Sequence, residues 1–218
     1  MRNVIVILLS LTAMTTICYG HAHLHIGVNY DQNDGTVDDN QLFVFGMPPS
    51  AQPENYWPNF PVWGNSENPY QMVAEPLKLV YQDSGYFAGK YVCEWLKCFH
   101  SAHPGHGNWQ LSGSDEQNQP NWQIGIERVS ASEGLEFFEE DSLNYVLKSD
   151  EDQLTLPSLW MSNKTNENGE LGAWGIHHHV LFVVDGTDVG IGETFNMNFK
   201  VFDSSGTYED SEVYTMTF

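Results

Sequence analysis

The end of the chain alternates apolar and polar residues with a period of two, and that pattern restricts the fold more than any other feature. Phe195, Met197, Phe199 and Val201 alternate with polar or charged partners, and Tyr214, Met216 and Phe218 repeat the pattern. Successive side chains of a strand point to opposite faces, so such runs bury one face and wet the other. Between them Asp203-Ser204-Ser205-Gly206 has the chemistry of a turn. Upstream, residues 173–184 read as another strand, entering with three histidines and leaving as Val180-Leu181-Phe182-Val183-Val184. Three neighbouring antiparallel strands at the carboxyl end predict an all-β chain, an antiparallel β-sandwich with long irregular loops and at most one short helix.

Further short runs read as strands at 21–30, 42–46, 77–82, 122–129, 135–138 and 153–156. The polar stretch 31–40 and the Pro-, Asn- and Trp-rich stretch 47–69 read as loops. Residues 86–98 are the one place where a short helical turn is expected. There are no internal repeats and no interdomain linker, so residues 21–218 read as a single β-rich domain of ordinary size.

All nine histidines fall into three tight triplets: His21, His23 and His25; His100, His103 and His106; His177, His178 and His179. Neutral imidazole is the commonest protein ligand for metals. On a strand His21, His23 and His25 share one face, and His177 and His179 share a face that His178 does not. His100, His103 and His106 sit in a loop broken by Pro104, Gly105 and Gly107. If the first strand lies beside the strand at 175–184, His23, His25, His177 and His179 meet as a four-nitrogen site. Imidazole-rich sets suit copper and zinc, whereas calcium calls for oxygen ligands. The cofactor expected is therefore a copper or zinc ion, held by a β-rich metal-binding domain.

Residues 1–20 read as a secretory signal: Arg2 supplies charge, residues 4–11 an apolar run, and small residues the exit. Cleavage after Gly20 or after Ala22 leaves a terminus of the form His-Xaa-His, which chelates Cu(II) or Ni(II) through its amine and imidazoles. The expected localisation is secreted, periplasmic or cell-surface. No later segment is long and apolar enough to cross a bilayer as a helix. The net charge of −21, with only 8 Lys and Arg, disfavours nucleic acid and anionic lipid as partners. In an oxidising compartment Cys93 and Cys98 are expected to form a disulfide. The alternative is a zinc site from Cys93, Cys98, His100 and His103.

The stretch His21-Ala22-His23-Leu24-His25-Ile26-Gly27-Val28-Asn29 resembles the mature start of exported, metal-repressed, His-rich bacterial proteins, such as the zinc-repressed secreted proteins of cyanobacterial type. Residues 175–182 and 203–211 are similar to their carboxyl ends. A more distant resemblance is to the copper-repressed CorA/MopE copper-binding family of methane oxidisers. Together the matching segments cover about a quarter of the chain, and the Trp- and Pro-rich middle is unlike these proteins. The resemblance implies metal scavenging or holding on the export side, with His23, His25, His177 and His179 at matching positions, and a metal-uptake receptor or the outer-membrane surface as partner. The CorA/MopE proteins bind Cu(I) through two histidines and an oxidised tryptophan. That makes Trp95, Trp109 and Trp174, each near a histidine cluster, candidate copper-adjacent aromatics.

The reading these features favour is an exported copper- or zinc-binding protein for scavenging, storage or delivery, without catalysis. Two others stand beside it: a copper-dependent oxidative enzyme with an amino-terminal histidine brace, and a structural surface protein that binds metal incidentally.

Overall fold

Alternating segments pair into two sheets in the computed structural model, which describes residues 22–28, 40–47, 77–93, 96–101, 111, 113, 115–166, 168–187, 189–190 and 192–218. Among the described residues there are thirteen strands and no helix. They are β1 (Ala22–Val28), β2 (Leu42–Met47), β3 (Leu79–Tyr81), β4 (Lys90–Cys93), β5 (Leu96–Ser101), β6 (Ile124–Ala131) and β7 (Leu135–Glu139). The remainder are β8 (Tyr145–Val146), β9 (Gln153–Thr155), β10 (Ser158–Thr165), β11 (Leu171–Asp185), β12 (Asn196–Asp203) and β13 (Tyr214–Thr217). Residues 1–20, expected from sequence to be a signal, and His21, Trp95, His103, His106 and Trp109 lie outside the described residues.

The smaller sheet has four antiparallel strands in the order β13-β12-β6-β9. The larger has the path β2-β1-β5-β11-β4-β3, with β10 and β7 also paired to β11, and β8 to β7. The 15-residue β11 is its spine. Val183 and Val184 of β11 pair with both β4 and β7, so these two strands flank it on opposite edges.

The chain is all-β and its two sheets pack as a sandwich, with three differences from expectation. First, β1 and β5 run parallel, making the larger sheet mixed rather than antiparallel. A parallel pair needs a long crossover, and the whole segment carrying β2, β3 and β4 intervenes. Second, β11 does not neighbour β12: it lies in the larger sheet while β12 and β13 pair in the smaller one. Third, the described part of 86–98 holds a hydrogen-bonded turn at residues 86–89 but no helix. Tyr91, Val92 and Cys93 pair instead with Tyr81, Val80 and Leu79, as their β-favouring side chains allow.

The core fills the space between the sheets. Leu24, Ile26 and Val28 of β1, Phe99 of β5, Phe137 of β7, and Ile176, Val180 and Phe182 of β11 face it from one side. Ile124 and Ile126 of β6, Met197, Phe199 and Val201 of β12, and Tyr214 and Met216 of β13 face it from the other. Edge-on rings of Phe99 and Phe199 (6.1 Å) join the sheets, as does the Tyr214 hydroxyl, which accepts from the Val44 amide at 3.0 Å. With these residues turned inward, the residues between them on β1, β5 and β11 lie on the outer face of the larger sheet.

Candidate metal centre

That outer face is where the histidines collect. On β1 the inward Leu24 and Ile26 leave His23 and His25 outward, and on β5 the inward Phe99 leaves Cys98 and His100 outward. On β11, inward Ile176 and Val180 leave His177 and His179 outward. Strand pairing aligns these residues. His25 is level with His100, and His100 with His177; His23 is level with Cys98, and Cys98 with His179. Three neighbouring strands therefore present two rows of three potential ligands, five imidazoles and one thiol.

The donors approach most closely at Cys98, His177 and His179, whose ligand atoms all lie within 4.8 Å of one another. The Nε2 atoms of His177 and His179 are 3.0 Å apart. Two nitrogens bound cis to one zinc or copper ion are separated by about 2.9–3.4 Å, given bonds of about 2.0–2.1 Å. The His179 Nδ1–H donates to the Glu140 carboxylate at 2.5 Å, and the Glu140 amide donates to the His179 carbonyl at 3.2 Å. A carboxylate on one ring nitrogen fixes the tautomer and leaves the other nitrogen's lone pair for a metal. His100 is set the same way, its Nδ1–H donating to the Ser101 carbonyl at 2.8 Å.

Burial and neighbouring charges favour the neutral forms of Cys98 and His177. Burial pushes the Cys98 thiol up to about 12, against the His178 backbone amide that bonds the sulfur, and nearby Glu140 adds to the rise. Burial also lowers the His177 pKa below the ordinary histidine value, with the neighbouring His179 acting in the same direction. Neutral imidazole and thiol are the forms from which a metal displaces at most one proton.

The flanking rings continue the cluster. Ring centres of His100 and His177 are 5.2 Å apart and nearly perpendicular. His23 lies 5.9 Å from His177 and 5.3 Å from His100. The first strand is not beside β11, because β5 runs between them, yet His23 and His177 still face one another across that strand. Of the four-histidine set expected from adjacency, all four side chains share this face, and β5 adds Cys98 and His100.

Several expected positions lie elsewhere. His178 points to the opposite face, its Nε2 3.4 Å from the Glu139 carboxylate, and burial lowers its pKa. It is not a ligand of this cluster. Trp174 is also on the opposite face: it is buried in the core, its indole N–H donates to the Asp115 carbonyl at 2.8 Å, and its ring packs edge-on against Trp160. It is not adjacent to the histidine face. The expected Cys93–Cys98 disulfide is not formed, and both residues remain thiols. Cys93 ends β4 and points into the main core, while Cys98 faces outward with the histidines. The same separation rules out a zinc site that uses both cysteines.

Sequence reasoning missed Cys98 as a partner of the third triplet, and Glu140 as the carboxylate that orients His179. The period-two pattern of Cys98, Phe99 and His100 carried the first signal. The second depends on β7 pairing with β11 and had no local signature. Comparisons of the chain with protein-family models, with curated proteins and with solved structures found no match.

Proposed function

We propose that this protein is an exported transition-metal-binding protein that holds zinc or copper through Cys98, His177 and His179, and serves scavenging, storage or delivery of the ion. The observation that supports it is the convergence of two imidazoles and a thiol within 4.8 Å, with one imidazole oriented by a carboxylate. A thiolate and two imidazoles are a ligand set suited to zinc and copper, and three protein ligands leave a fourth position for water or a receiving ligand. Export is supported by the amino-terminal apolar segment, and the excess of acidic residues (29 Asp and Glu) raises the local cation concentration at the surface.

The test is competitive titration of the tag-free mature chain with Zn(II) and Cu(I) against chromophoric chelators. The His177→Ala/His179→Ala variant is expected to bind at least about 100-fold more weakly, having lost two of three ligands. His178→Ala, on the other face, is expected to bind like the wild type. Equal affinity of the double variant and the wild type would refute this assignment.

A further inference from the structure

The trio of Cys98, His177 and His179 supports more than holding an ion. Two imidazoles and one thiolate serve both oxidation states of copper, because the soft sulfur suits Cu(I) and the nitrogens suit Cu(II). A centre that passes one electron must accept both states with little rearrangement, so the stiffness of its frame matters as much as its donors. Here all three ligands stand on the paired strands β5 and β11, with His179 level with Cys98 and His177 level with His100. None of them comes from a loop. β11 is held in turn by β10, β7 and β4, and Glu140 orients the His179 ring.

The sulfur is protected. A thiolate on Cu(II) ordinarily decays: two such thiolates each give one electron to their copper and join as a disulfide. Cys98 is only 2% exposed, which closes it to a second chain. Cys93, the other thiol among the described residues, points into the core on the opposite face of the sheet. The His178 backbone amide bonds the Cys98 sulfur, drawing off electron density and favouring the reduced metal. His177, by contrast, is exposed. The centre therefore joins a buried thiolate to an imidazole open to solvent, through which a partner's redox group reaches the metal's own coordination shell.

We infer that copper at Cys98, His177 and His179 is a one-electron centre whose partner is a cationic redox carrier, docking at the exposed edge of His177. This rests on the reading of that trio as a metal centre. Loading displaces the Cys98 proton to solvent. In turnover Cu(II) takes one electron from the reduced carrier, giving Cu(I) and a carrier oxidised by one electron, with no bond made or broken. The carrier's charge follows from that of this chain. A net charge of −21 steers cations towards it, and beside the centre Glu140 and Asp141 outnumber Lys164.

The test starts from one equivalent of Cu(I), bound anaerobically to the tag-free mature chain and then oxidised by ferricyanide. An intense visible sulfur-to-copper charge-transfer band is expected, which hexaammineruthenium(II) bleaches and ferricyanide restores over repeated cycles. The rate of bleaching should fall by about 3- to 10-fold as ionic strength rises from about 0.01 M to about 0.15 M, the sign of opposite charges meeting. Cys98→Ser should show no band. If that variant does not fold by circular dichroism, the wild-type cycles carry the test alone. Three results would each overturn the electron-transfer centre: Cu(II) with only weak ligand-field absorption, a band that fades as the Cys98 thiol is lost, or a folded Cys98→Ser that keeps the band. Tight Zn(II) and Cu(I) binding in chelator competition would then still leave the proposed function standing. A bleaching rate unchanged or raised by salt overturns the cationic partner. No binding of Cu(I) or Zn(II) at all would overturn both the electron-transfer centre and the proposed function.

Discussion

Glu140 and Ser101 decide which ring nitrogens of His179 and His100 keep a lone pair, and that choice is made at single atoms. Replacing Glu140 with Gln removes the charge but keeps the shape, and should weaken zinc binding by about 10- to 100-fold, as measured by chelator competition. A residue such as Asp203 acts on stability instead. Burial would raise its pKa, but the amides of Gln123, Ser205 and Tyr208 and the Ser205 hydroxyl outweigh that and hold it below the ordinary range. A carboxylate with a depressed folded-state pKa contributes stability that is fully present above its unfolded value of about 3.9 and is lost as pH falls through the folded value. Asp203→Ala, which leaves the buried Tyr208 amide and several half-buried amides without their acceptor, should cost about 1–3 kcal/mol at neutral pH. The difference from wild type in urea denaturation should shrink below that range. At this scale much was legible. The alternation in 177–179 separated His177 and His179 from His178 before any pairing was known. Cys98 was misassigned because two cysteines five residues apart suggest a bridge, and only the inward turn of Cys93 removes it.

Strands bring these residues into register, and β11 does so through one close approach. A side chain at Gly175 would meet the Met161 methyl at 2.0 Å and the Ser101 Oγ at 2.3 Å. The methyl end of Met161 can swing aside, but that hydroxyl accepts the Ile176 amide (3.2 Å) next to the His100–His177 pair. Gly175→Ala should therefore lower stability by about 1–3 kcal/mol, and should loosen metal binding more than an equally destabilising change in β12. Comparing melting temperature with zinc affinity in the two variants checks this. The strands with strict alternation, β6, β12 and β13, were readable from sequence to within a few residues. β10 was not, since its burial follows no clean period, and the choice of partners was hidden throughout. That β5 inserts between β1 and β11 is a long-range decision, set by which edges meet once the core closes, and no local window encodes it.

For the whole molecule, a metal on the outer face couples binding to folding, because the ligands come from strands far apart in sequence. One ion at 100 times its dissociation constant should add about 2.7 kcal/mol, which for a domain of this size is about 5–10 °C in melting temperature. Calorimetry with zinc and after chelation should show that difference, and the His177→Ala/His179→Ala variant should lose most of it. The sandwich class was legible from period alone, because alternation on several segments allows few other ways to bury one face. The composite face was legible only in pieces, three triplets whose relation depends on topology. Zinc K-edge X-ray absorption on the chain loaded with one equivalent tests the central claim most directly. One sulfur near 2.3 Å and imidazole nitrogens at about 2.0–2.1 Å are expected. A first shell of oxygen alone, or of nitrogen without sulfur, would contradict the account.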